Sequence, residues 1–463
     1  MGTLGDFTAA SLVFGNAGAL VVAGQVSTGN GALDLSTSAG SLRVSGRASG
    51  GAVGLTSAAD LAIDGAVSAS TLVLHAAGNV SEAGGTISAG SLGGSSGGST
   101  TLDGANHVGS LGGFSAAGFS FTNAGALSVD GTVDGGSSTR LATTSGDLAI
   151  NGQVSGGNTT LVSAAAITEG SGGRIVAGTL SGQSAGSTTL AGANSVDSLG
   201  AFSAAGLQFT NGKALSVAGP VDGGSSLSLA TTAGDLALDG TLRASKVWLQ
   251  SAAAITEGST GVITAGTLSG QAAGTTSLGT RSQPIGNRID TLGNFSSTAG
   301  FSLTNATTLT LASVDNSAFT VDAGHAELYL GVTGGDLLAQ GKTPMYDGTG
   351  TFASSGHIGT ALSPIYVIGD GPQLIARVGN PPAYFYAVDR QGNILPLTGE
   401  LSFNVPTSLF FGKAQNGNGR GDAYIDPSVI SANYRSFGIV PSGILLPADQ
   451  QACDPESDDC GDQ

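Results

Sequence analysis

Residues 100–136, TTLDGANHVGSLGGFSAAGFSFTNAGALSVDGTVDGG, return as residues 188–224, TTLAGANSVDSLGAFSAAGLQFTNGKALSVAGPVDGG. Leu102 maps onto Leu190 and Phe114 onto Phe202, a spacing of 88. A third copy begins at Thr275, where Leu278 keeps that spacing but Phe295 follows Phe202 by 93, so RSQPIGN (281–287) carries an insertion of five residues. Phe14 precedes Phe121 by 107 residues, which is 88 plus 19, as one further small unit would require. Repetition of this kind belongs to architectures in which one supersecondary unit is stacked many times.

The small unit is visible directly. Leu, any residue, an aliphatic, any residue and Gly recur as LVVAGQV at Leu20, LRVSGRA at Leu42, LAIDGAV at Leu61, LSVDGTV at Leu127, LAINGQV at Leu148, LSVAGPV at Leu215 and LALDGTL at Leu236. Neighbouring copies lie 19, 21 or 22 residues apart. In Leu127-Ser128-Val129 the alternation is that of a strand with one buried face. Gly131 then tolerates a turn before Val133 points inward again. One such strand cannot bury its face alone and must stack on its neighbours. The expected fold is therefore all-β: a right-handed parallel β-helix, a solenoid of roughly 19–22-residue coils, about 16 of them over the first 320 or so residues. A sandwich of antiparallel strands would place turns every 8 to 12 residues and has no reason to repeat at 19 and 88.

Composition agrees with a thin, repetitive core. Of 463 residues 79 are Gly, only 5% are aromatic, and 40% are hydrophobic, too many for a disordered chain. A formal net charge of -17 repels phosphate backbones and anionic headgroups, which argues against nucleic acid as a partner. No apolar run reaches the length of a membrane-spanning helix.

The texture changes near residue 325. All seven tyrosines lie at or after Tyr329, and 11 of the 13 prolines at or after Pro344. Residues 1–325 are read as the β-helix, 326–445 as a β-rich, Pro- and aromatic-rich C-terminal cap, and 446–463 as an acidic tail. A terminal coil needs a cover, because exposed ladder ends invite edge-on association. PIYVIGD at Pro364, AYFYAVD at Ala383 and SLFFGKA at Ser408 read as cap strands.

Catalytic signals are weak. The repeated outward positions Ser128, Ala149, Ser216 and Ala237 cannot transfer protons. Glu169 and Glu257, in two ITEG segments 88 residues apart, are too distant to work as one pair and read as solvated turn residues. His75, His107, His325 and His357 are scattered and match no ligand spacing, so neither a metal nor a cofactor is expected. No Gly-x-Ser-x-Gly elbow supports a nucleophilic serine. Arg420, Gly421 and Asp422 form the tripeptide that integrins read on a tight turn, although a Gly-rich chain produces it readily by chance.

The segments AGALSVDGTVDGG (124–136), LVSAAAITEG (161–170) and IVAGTLSGQSAGSTTL (175–190) resemble the filamentous haemagglutinin family of bacterial exoproteins, the secreted partners of two-partner secretion. The likeness covers about residues 5 to 325, and the final segment GIVPSGILLPADQQACDPESDDC (438–460) looks like the C-terminus of family members. It implies a non-catalytic adhesin stalk, secreted or held at the outer membrane of a bacterial cell. It also implies an outer-membrane transporter barrel as partner, and a host glycan, a host protein or the exoprotein itself as the target of attachment. In some of these adhesins two cysteines near the C-terminus close a disulfide loop that retains the protein at the surface, which implies the same for Cys453 and Cys460. Six residues including Pro455 separate them, so closure is sterically easy. Reduced thiols in an acidic tail, or two thiolates on a metal, stay open as readings of the pair. The family's N-terminal signal and secretion domain have no counterpart at MGTLGDFTAASLVFG, and LVFGNAGALVVAGQV enters the pattern mid-repeat. The chain is thus expected to be the C-terminal part of a larger exoprotein. Two other expectations share the fold: a haem- or haemopexin-acquisition exoprotein and a polysaccharide-active β-helix enzyme.

Overall fold

The computed structural model describes residues 2–313 and 320–341 without a break, shorter stretches between residues 344 and 368, and beyond these only strands between Gln373 and Ile425. Cys453, Cys460, Arg420, Gly421 and Asp422 lie outside the described residues. Every regular element among those described is a β-strand. The contacts group into two units, Met1–Thr232 and Ala233–Gln463.

In the first unit each coil pairs in parallel with the next, and equivalent residues form ladders. Leu20 faces Leu42, Leu42 faces Leu61, and Leu61 faces Val80. Val22, Val44 and Ile63 make a second ladder, and Leu33, Val53, Leu72, Leu92 and Leu111 a third. All of these side chains are buried. The 19-to-22-residue motif is therefore the coil itself, and the parallel β-helix expected from the repeat is the observed architecture. The second unit is built the same way: Leu236 faces Ile255, and Leu309 faces Leu337. Its parallel pairing runs on to the strand Thr398–Phe403, after which Ser408–Gly412 and Tyr424–Ile425 add in antiparallel fashion.

Aromatic residues share the core ladders with aliphatics: Phe114 faces Val133, and Leu207 stands where the first copy has Phe119. Phe114 and Phe119 have ring centroids 4.9 Å apart, and Phe295 and Phe301 repeat that distance in the second unit. Phe202 and Phe295 take space that a glycine of the coil before them leaves free. Gly94, Gly182 and Gly270, spaced by 88, are the register partners of Phe114, Phe202 and Phe295, each at a slip in the strand register.

Candidate functional site

Polar side chains inside a solenoid must find partners, because an orphaned buried group costs about 1–3 kcal/mol. Here they are met by a recurrent device on three corners. Asn106, Asn194 and Asn287 are buried, and each uses its Oδ1 to accept a backbone N–H from the preceding coil: Ile87 (2.8 Å), Ile175 (2.7 Å) and Ile263 (2.6 Å). A second asparagine follows one coil on. Asn123 Oδ1 accepts from Val108 N–H at 2.8 Å, Asn211 from Val196 at 2.9 Å and Asn305 from Ile289 at 2.8 Å.

The Nδ2 of the first asparagine reaches a glutamate. Asn106 donates to Glu82 Oε2 (2.9 Å), Asn194 to Glu169 Oε2 (3.0 Å) and Asn287 to Glu257 Oε2 (2.7 Å). In the first two copies a glycine amide adds a second donor to the same oxygen, Gly104 N–H at 2.9 Å and Gly192 N–H at 2.5 Å. Glycine leaves room for the carboxyl there: a Cβ at Gly104 would stand 2.6 Å from Glu82 Oε1, and one at Gly192 2.6 Å from Gly173 O and 2.8 Å from Glu169 Cδ. The third copy has no such amide, because the insertion replaces this stretch of backbone with a loop. In all three copies Oε1 is buried without a hydrogen-bond partner.

The reading of Glu169 and Glu257 as solvated turn residues is thus corrected. Their carboxyls fold inward against a neighbouring coil, because the Asn amide one coil on offers a partner and the adjacent glycines leave room. Burial raises the pKa of Glu82 and Glu169, opposed by the Asn and Gly hydrogen bonds; Asp103 pushes Glu82 further up. Glu257, with the Asn287 bond alone against its burial, is raised to about 7. Glu82 escaped the sequence reading because its segment reads VSEAGG, one residue shorter than the ITEG copies in its spacing; only the shared partner reveals the equivalence.

Exposed acids have a different task. Asp60, Asp147, Asp235 and Asp336 each accept the backbone N–H of a residue one coil further on: Asn79 (2.8 Å), Ala166 (2.9 Å), Ala254 (2.9 Å) and His357 (2.7 Å). Asp130 is held below the usual carboxylate range by hydrogen bonds from Ser128 and Asn151.

A shallow groove of about 320 Å³ in the first unit is lined among others by Asp134, Ser155, Val176, Gly178, Asp197 and Lys213. Lys213 and Asp197 pair across its rim. The groove offers small polar contacts and one ion pair, with no histidine or cysteine in its lining. His75 bonds Ser95 Oγ at 3.0 Å and His357 faces Asp336 at 3.2 Å. Among the described residues no three His, Cys, Asp or Glu side chains converge as metal ligands would.

Two of the outward positions named above, Ser128 and Ala149, sit on one ladder, while Ser216 faces Ser198 and Ala237 faces Thr256. Ser110, Ser128, Ala149, Thr168 and Thr189 are successive register partners, so small uncharged side chains line this face coil after coil. No protein-family description, no curated protein and no solved structure matches the chain.

Proposed function

We propose that the chain is the C-terminal part of a large bacterial exoprotein of the filamentous haemagglutinin type, secreted or held at the outer membrane. In this reading it is a non-catalytic β-helical stalk that mediates attachment or aggregation. The observation that carries it is the parallel solenoid with its outward ladder of Ser, Ala and Thr. Such a face presents hydroxyls and methyls at a regular coil spacing, suited to shallow contacts repeated along a surface and unsuited to proton transfer. Export would require an outer-membrane transporter barrel, and the target would be a host glycan, a host protein or another copy.

The test is attachment. Cells carrying an in-frame deletion of this region should lose binding to host surfaces or to one another. Unchanged adhesion together with loss of growth on haem-haemopexin would instead support the acquisition reading, and release of reducing sugar from a polysaccharide panel would support the enzyme. Anchoring has its own test: Cys453 and Cys460 should resist alkylation without reductant in protein taken from the cell surface, and Cys460→Ser should release protein into the medium. Full alkylation without reductant would remove the disulfide from the proposal.

A further inference from the structure

The three Glu–Asn corners form an internal comparison, and one of them differs. At Glu257 the amide that joins Asn at the other two corners is gone, and the residues that replace it form an exposed loop. Thr280 and Gln283 exchange backbone hydrogen bonds at its tip, at 3.0 and 3.2 Å. Arg281, Ser282, Gln283 and Pro284 are exposed, whereas Ile285 and Asn287 are buried at the foot. Ile285 N–H donates to Thr304 Oγ1 at 2.7 Å, and that hydroxyl donates back to Ile285 O at 3.0 Å. Asn287 ties the foot to Glu257 on one side and to Ile263 on the other.

We propose that Glu257 is a proton-controlled latch at the foot of this loop: the neutral acid closes it over Asn287, and the carboxylate opens it by drawing water to Oε1. As the neutral acid, Glu257 accepts the Asn287 amide on Oε2 and leaves one uncharged, dry O–H. As the carboxylate it leaves a bare anionic oxygen in a site with a single donor. Burying a polar group without a partner costs a few kcal/mol, and burying an unpaired charge costs far more, so the ionised form favours a state in which water reaches the carboxylate. The cheapest route for that water is the loop foot, where the side-chain bonds of Thr304 and Asn287 and the single bridge between Asn287 and Asn305, rather than a ladder of strand pairing, hold the chain.

The charged groups around the site do not relieve the anion. Asp239 and Arg243 stand on the preceding coil, Arg288 adjoins Asn287 and Arg281 is at the loop tip; the following strand Thr276–Leu278 bears no titratable side chain. None of these charged groups is hydrogen bonded to Glu257. The raised titration of Glu257, at about 7, follows from its burial against one donor and places the transition near neutrality.

Hydrogen exchange of residues 279–287 in the full chain, corrected for the intrinsic pH dependence, tests the latch. Between pH 6 and pH 8.5 the opening equilibrium of this segment should rise about ten-fold, because linkage lets it climb about ten-fold per pH unit only between the solvated value of 4.5 and the buried value of about 7 and flattens it above. The segment around Gly192 and Asn194, which keeps both donors, should respond less. Glu257→Gln, a neutral mimic of the acid, should hold the segment closed at both values. An equal pH response in Glu257→Gln, or constant protection in the wild type, would overturn the latch. Should Glu257→Gln not fold, the infrared band of a protonated carboxyl in the wild type decides: present at pH 6 and lost with the protection by pH 8.5 it supports the latch, and absent at pH 6 it refutes it.

Discussion

Gly182 and Phe202 are register partners in neighbouring coils, and a Cβ added at Gly182 would stand 2.9 Å from Phe202 Cε2 and 2.3 Å from Leu161 O. The aromatic ring therefore occupies space that the previous coil leaves empty. Gly270 and Phe295 repeat the relationship, with 2.8 Å to the ring.

Gly182→Ala should lower stability by about 1–3 kcal/mol, the usual range for overpacking, since the nearer neighbour is backbone and cannot rotate away. Gly118→Ala is the control, because a Cβ there meets nothing closer than 3.4 Å; its effect should stay within about 0.5 kcal/mol. Urea unfolding followed by far-UV circular dichroism compares the two, and equal losses would mean that the ring does not set the tolerance.

Removing Asn123 should cost more than an ordinary core polar group. Its Oδ1 accepts from Val108 N–H, while its Nδ2 donates to Val108 O (3.0 Å) and Ala126 O (2.9 Å). Asn123→Ala strands these groups inside the coil, a loss of about 2–4 kcal/mol. Asn123→Asp should be at least as damaging, because it replaces the donors with a buried charge. Thermal unfolding of the two variants measures both.

Asp147 separates charge from hydrogen bonding. Its Oδ1 accepts Ala166 N–H from an exposed position. Asp147→Asn keeps an acceptor and should leave stability nearly unchanged, whereas Asp147→Ala should lose about 0.5–1.5 kcal/mol. Identical losses in a denaturant titration would show that the charge, not the acceptor, holds the corner.

The buried glutamates give stability a definite pH trend. Their folded-state values are raised, so the folded chain binds protons more tightly than the unfolded one. Their contribution is fully present below about 4.5, the unfolded value, and falls as pH rises, levelling off above about 7 where Glu257 has ionised. Asp130, held low, acts in the opposite sense only below its ordinary value of 3.8. Denaturation midpoints at pH 5 and pH 8.5 should show the higher stability at pH 5, and Glu169→Gln should reduce the difference. A midpoint that rises with pH would contradict the buried environment of these carboxyls.

How far the sequence reached depends on the kind of contact. Leu127 and Leu148, or Val129 and Ile150, announced their ladder because like aliphatic residues stand at one coil's spacing and each faces its own equivalent. Glu82 gave no such sign, since its role depends on Asn106 24 residues on, in a different residue type and at a spacing that drifts to 25 and 30 in the later copies.

The amino-acid sequence by itself determined the parallel β-helix. Equal spacing of aliphatics forces equal coils, and burial of alternate residues forces them to stack. Only the tertiary structure decided that Gly182 clears space for Phe202, that the recurrent glutamates turn inward, and that the insertion at residues 281–287 strips one donor from Glu257. Those outcomes depend on which atoms the coil register brings within 3 Å, and a one-dimensional repeat carries the period of a coil but not the direction of its side chains.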